Sequence, residues 1–159
     1  MNIRQTLVSL SYVLSSACLA QALPIEPFAD WSRTRPNWTK DPSEVAYVAT
    51  RCGALYSPIG SIMAERGSTQ QLKEAGEDLT VRGLRISIFG FQLARDSGWA
   101  AEIIRERQQF IAEIYWKIIS SNRTIHNNMF YGFIENDFKF CSDFERVVRD
   151  LASAVRLGR

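Results

Sequence analysis

The chain has 159 residues, of which 46% are hydrophobic and 23% charged, a composition typical of one ordinary folded domain. Its 19 basic and 17 acidic residues leave a formal charge of +2, which is too balanced to indicate a nucleic-acid-binding protein. The single histidine and three cysteines are a small supply of metal ligands and nucleophiles, and we expect no cofactor.

The N-terminal segment at residues 1–22 has the pattern of a secretory signal peptide. Its only charged side chain is Arg4, and an uncharged, mostly apolar stretch follows at residues 6–20. This stretch is shorter than the roughly 20 residues that a helix needs to cross a bilayer. The tripeptide Ala-Gln-Ala at 20–22 matches the small-x-small cleavage pattern. We therefore predict a secreted or periplasmic protein cleaved after Ala22, with a retained N-terminal anchor as the alternative.

The cysteine count supports the same compartment. Cleavage would remove Cys18 and leave Cys52 and Cys141. An even number of cysteines in an exported chain predicts a disulfide between them. Two buried free thiols are the alternative, because cysteine packs readily in protein cores.

Residues 23–40 are predicted to form an extended leader, because proline lacks a backbone donor and blocks helix formation. The prolines of this segment are Pro24, Pro27 and Pro36. The same segment contains Trp31 and Trp38. We expect these two side chains to strap across the domain surface, with a role as exposed anchors for a partner as the alternative.

The helical domain is predicted to begin at residue 41 and to extend to residue 159. Its first helix begins at Asp41-Pro42-Ser43-Glu44, where an acidic N-cap precedes a proline in the first turn. Apolar residues then recur every three or four positions, at Val45, Val48, Cys52, Leu55, Ile59 and Ile62. We expect Pro58 to kink or break this helix and Gly67 to end it.

The second helix is predicted from another stripe with alternating spacings of four and three. Its members are Leu72, Gly76, Leu79, Gly83, Ile86, Gly90 and Leu93. Glycine costs nearly 1 kcal/mol in a helix relative to alanine, so three glycines seven residues apart indicate the close approach of a neighbouring backbone. A strand at residues 84–88 is the competing interpretation, because alternation is equally good there.

Two further helices are predicted at Trp99–Ser121 and Asp137–Leu157, separated by a turn at residues 122–128. An aromatic cluster of uncertain form follows the turn and overlaps the start of the last helix, and it comprises Phe130, Tyr131, Phe133, Phe138 and Phe140. Four amphipathic helices with short connections predict an all-α, up-down-up-down four-helix bundle. The first and last helices would then be antiparallel, which places Cys52 within reach of Cys141.

No motif of a known catalytic or metal centre occurs in the sequence, and we expect the protein not to be an enzyme. His126 lies in a predicted polar turn, where an exposed or capping histidine is the ordinary interpretation. A weaker hypothesis pairs His126 with Met63 or Met129 as axial ligands of a non-covalently bound haem.

The sequence therefore favours a small exported, disulfide-linked helical protein that acts by binding. We expect its partner to be another protein or a cell-envelope component, and we expect neither nucleic-acid binding nor a membrane span after signal removal. The predicted contact residues are Trp31, Trp38, Phe130, Tyr131 and Phe133. The alternative function is a ligand carrier that holds haem or an apolar small molecule inside the bundle.

The basic residues are mostly arginine, which forms bidentate pairs with carboxylates and phosphates. In the last predicted helix, Arg146, Arg149, Arg156 and Arg159 could share one face. That face could recognise an anionic component of the cell envelope, although a solvated surface is the ordinary interpretation.

Overall fold

The computed structural model describes residues 25–157, and it describes side chains as far as residue 148. The predicted signal peptide at residues 1–22 lies outside the described residues. Within the described range the chain forms five α-helices, one 3-10 helix and no strand. The α-helices are α1 (Phe28–Thr34), α2 (Pro42–Arg66), α3 (Gln70–Asp96), α4 (Ala101–His126) and α5 (Phe133–Leu157), and the 3-10 helix is Trp38–Lys40. The all-α prediction is confirmed.

Helix α2 is the central element of the fold. As predicted, Asp41 caps it by accepting a 2.8 Å hydrogen bond from the Ser43 backbone N–H, and the helix ends at Gly67. The expected break at Pro58 is wrong, because α2 continues through this residue to Arg66. Nearly all of its middle turns are buried against other helices, and this packing holds the helix together across the missing backbone donor.

Helix α3 packs on α2 through the predicted glycine stripe. A Cβ atom added to Gly76 would lie 2.6 Å from the carbonyl oxygen of Gly60, and one added to Gly83 would lie 2.9 Å from the Cβ of Tyr56. The two backbones are therefore in direct contact, as three glycines at a spacing of seven indicate. The prediction of a helix is confirmed here, and the alternative strand at residues 84–88 is wrong.

Three boundaries differ from the sequence predictions. The leader is not extended throughout, because Phe28–Thr34 forms α1 between Pro27 and Pro36 and buries Phe28 and Trp31 against the core. The predicted turn at 122–128 is helical as far as His126, and the left-handed conformation of Asn127 (φ 50°) ends α4 there. Helix α5 begins at Phe133, so most of the aromatic cluster belongs to its first turns.

The predicted disulfide joins Cys52 of α2 to Cys141 of α5, with 5.3 Å between the Cα atoms and both residues fully buried. Helix α2 also packs extensively on α3 and α4, whereas α3 and α4 contact each other only sparsely. The helices are thus gathered around α2. None of the helices in the described range is long and apolar enough to cross a membrane.

Candidate functional site

An apolar groove of about 350 Å³ lies where α5 passes α3 near the start of α2. We call it the α3–α5 groove. Its apolar lining comes from four elements and consists of Trp38, Val45, Phe89, Phe140, Phe144, Val147 and Val148. One side of the groove is open to solvent. Thr39, Asp143 and Arg146 complete its lining, so a few polar side chains accompany a mainly apolar surface.

A polar clamp beside the groove holds α5 against α2 and α3. The Arg82 guanidinium donates to both carboxylate oxygens of Glu145, with Nε 3.0 Å from each. Hydrogen bonding to Glu145 raises the pKa of Arg82, so the guanidinium stays charged. Next to it, the hydroxyl groups of Tyr56 and Ser142 lie 3.2 Å apart. Together with the disulfide, these contacts set the position of α5 from which Phe144 and Val148 line the groove.

A second network lies fully buried where α1, α2, α4 and α5 meet. Asp137 accepts hydrogen bonds from the Arg51 guanidinium at 2.6 Å, the Tyr115 hydroxyl at 2.7 Å and the Phe28 backbone N–H at 2.8 Å. Arg51 Nε also donates to the Tyr115 oxygen at 2.7 Å. The side chains of Arg51 and Asp137 are both 0% exposed. We call Arg51, Tyr115 and Asp137 the buried triad.

Burial and the neighbouring side chains keep Tyr115 neutral and Arg51 charged in the buried triad. Burial raises the pKa of Tyr115 well above its ordinary value, so the phenol stays neutral and can donate to Asp137. Burial alone would lower the pKa of Arg51, but Tyr115 and Asp137 outweigh this effect and raise it. Because Arg51, Tyr115 and Asp137 are all buried, a substrate has no access to them. Their role is to hold helices together.

The buried triad also positions one wall of the groove. The Arg51 guanidinium lies 3.8 Å from the centre of the Phe28 ring, and Phe28 stacks on Phe140 with the ring centres 4.3 Å apart. The ring centres of Phe140 and Trp38, which both line the groove, are 5.8 Å apart. Contacts between aromatic rings therefore connect the groove to the buried charges of Arg51 and Asp137.

The two tryptophans of the leader have different positions. Trp31 is only 3% exposed and packs against Tyr47, as expected of a strap across the domain. Trp38 is half-buried and lines the α3–α5 groove. Of the two predicted leader residues, only Trp38 is thus placed where a partner could contact it.

The remaining predicted contact residues lie away from the groove. Phe130 and Phe133 are half-buried and pack on the main core. Tyr131 is exposed, and its ring stacks on the ring of His126 with the ring centres 3.6 Å apart. His126 is exposed, as its ordinary interpretation expects, but it is the last residue of α4 and not part of a turn.

The three residues of the haem hypothesis differ in their exposure. His126 is exposed at the end of α4, whereas Met63 and Met129 are partly buried and pack on the main core. The described residues contain no group of three or more His, Cys, Asp or Glu residues that could hold a metal ion.

No family model matches this chain, and no curated protein or solved structure is significantly similar to it. The function is therefore inferred from the geometry of the chain itself. Sequence reasoning missed most of the groove, because Val45, Phe89, Phe144, Val147 and Val148 were not among the predicted contact residues. Phe89 is an apolar residue outside the predicted stripe of its helix, and this was the available signal.

Proposed function

We propose that this protein is an exported binding module, built as an up-down-up-down four-helix bundle with α1 added, that binds an amphipathic helix of a partner protein. The observation that carries the proposal is the α3–α5 groove. It combines a concave apolar lining with a position between two helices, as in the helix-in-groove mode of recognition.

The open side of the groove favours a protein partner over a small molecule. Small-molecule sites bury about 70–90% of a ligand's surface, whereas this groove is open to solvent on one side. Val147 is 54% exposed and continues the apolar surface towards solvent. A partner helix can cover the groove and Val147 together, because its own surface continues beyond the part that is inserted.

The side chains of the groove suit this type of occupant. Trp38, Phe140 and Phe144 are aromatic, and such residues supply most of the binding energy in many interfaces. Asp143 and Arg146 form a 2.9 Å ion pair and are both exposed, so the polar part of the lining carries one charge of each sign. We therefore expect the partner helix to present apolar residues at positions i, i+3, i+4 and i+7, flanked by polar residues of both charges.

The disulfide supports the exported location. Such bonds persist in the periplasm and outside the cell and are rare where glutathione and thioredoxin keep thiols reduced. An exported location and a binding role together suit a partner protein of the cell envelope or the extracellular space.

The test is a selection of helical peptides from a displayed random library against the oxidised protein. We expect the selected peptides to carry the i, i+3, i+4, i+7 apolar pattern. We also expect Val147→Glu to weaken their binding at least about tenfold, because the variant places a charge in the apolar contact. Val81→Glu is the matched control, since Val81 is a similarly exposed helical valine (45%) outside the groove.

Two outcomes would contradict the proposal. One is that the selected peptides bind the Val147→Glu protein as tightly as the unchanged protein, or lose affinity equally with Val81→Glu. The other is that no peptide is enriched while lauric acid binds with a Val147-dependent affinity. The second result would favour a carrier of apolar small molecules.

A further inference from the structure

A second cleft, of about 330 Å³, lies at the other end of α2, beside the last turns of α4. Its lining includes Arg66 and Glu65 from α2 and Trp116, Ser120 and Arg123 from α4. We call it the arginine cleft. It shares no residue with the α3–α5 groove, so it is a separate feature of the surface.

The two arginines of this cleft differ from most others in the described part of the chain. The arginines with a carboxylate oxygen within 4.0 Å are Arg33, Arg35, Arg51, Arg82, Arg105 and Arg146. No such pairing occurs for Arg66 or Arg123 among the described residues, although Glu65 lines the same cleft. The three charged side chains of the cleft therefore leave a net positive charge.

The helix ends explain only part of this arrangement. Arg66 and Arg123 lie in the last turns of α2 and α4, where a basic residue interacts favourably with the helix dipole. That interaction does not require the two guanidinium groups to line one cleft, where they repel each other. An anion bound between them would remove this repulsion, and a cleft with an excess of one charge attracts the opposite charge.

The neighbouring side chains indicate the kind of anion. Guanidinium groups bind phosphate oxygens in a bidentate manner, and the Ser120 hydroxyl is a further potential donor in the cleft. Trp116 is 45% exposed and offers a flat apolar surface beside these donors. We propose that the arginine cleft binds a phosphate group that is attached to an apolar or ring-shaped moiety.

Calorimetric titration of the full oxidised protein with inorganic phosphate and with phenyl phosphate tests this proposal. Arg66→Gln and Arg123→Gln should each weaken phosphate binding about tenfold, the effect of one charge-assisted hydrogen bond. Arg85→Gln is the matched control, because Arg85 is exposed on α3, has no described carboxylate partner and lies outside the cleft. Trp116→Ala should remove the tighter binding of phenyl phosphate relative to inorganic phosphate.

Vesicles distinguish the two sources of such a phosphate group. Binding to phosphatidylcholine vesicles that contain phosphatidylglycerol, reduced by Arg66→Gln and Arg123→Gln but not by Arg85→Gln, would identify a lipid headgroup. Binding of phenyl phosphate without vesicle binding would identify a free phosphate ester. The proposal is overturned if none of these probes binds, or if Arg85→Gln reduces binding as much as the two cleft variants do. Either result leaves the proposal for the α3–α5 groove unaffected.

Discussion

The replacement Asp137→Asn is the most informative perturbation of the fold. It keeps the shape of the side chain but removes the charge that neutralises Arg51 in a fully buried position. It also replaces one carboxylate oxygen with an amide nitrogen, which cannot accept a hydrogen bond. At least one of the three hydrogen bonds from Arg51, Tyr115 and the Phe28 backbone is therefore lost.

The expected loss of stability is about 3–5 kcal/mol, the usual cost of leaving one partner of a buried ion pair uncompensated. Most of this cost comes from the stranded charge of Arg51. Adding Arg51→Met to Asp137→Asn removes that charge, so the double variant should recover part of the loss. Urea unfolding at pH 7, followed by tryptophan fluorescence, measures the free energy of unfolding of each protein. A loss below about 1 kcal/mol for Asp137→Asn, or a further loss on adding Arg51→Met, would refute the reasoning.

Three further predictions concern the stability of the fold. Gly76→Ala should lower the unfolding free energy measured in urea, because the added Cβ would lie 2.6 Å from the Gly60 carbonyl oxygen. This clash should outweigh the preference of alanine for helix, which is about 1 kcal/mol. An unchanged or higher stability would contradict the backbone contact. The Cys52→Ala/Cys141→Ala double variant should lose about 4–5 kcal/mol of unfolding free energy in the same assay, since the disulfide closes a loop with a sequence separation of 89. Equal stability of the double variant and the oxidised protein would refute this. Burial raises the pKa of Tyr115, so the unfolded state releases this proton at a lower pH than the folded state does. The free energy of unfolding should therefore fall as the pH rises above about 10, and the fall should be shallower in Tyr115→Phe. An identical slope in both proteins would argue against a buried phenol.

Local patterns in the sequence were sufficient to predict several parts of the fold. The spacing of Gly76, Gly83 and Gly90 indicated both a helix and a close backbone contact, because only a helical period places three such residues on one line. The disulfide between Cys52 and Cys141 was predicted from the even number of cysteines that signal cleavage would leave, and antiparallel first and last helices placed the two residues within reach. These features depend on one or two elements at a time.

The parts that sequence reasoning missed depend on several elements at once. Asp137 was taken as the polar start of the last helix, whereas its carboxylate is buried by residues from α1, α2 and α4. Helix α1 forms between two prolines because Phe28 and Trp31 gain burial against the core, which outweighs the weak local preference. The α3–α5 groove likewise arises only where Phe89 of α3 and Val147 of α5 line one cavity in the folded chain.

The central claim is that the α3–α5 groove receives a helix of a partner protein. Methyl NMR spectra of valine-labelled protein, recorded with and without a library-selected helical peptide, test it most directly. We expect the methyl signals of Val45, Val147 and Val148 to shift when the peptide binds, and we expect no shift for those of Val81. Shifts confined to Val81, or equal shifts throughout the protein, would contradict it.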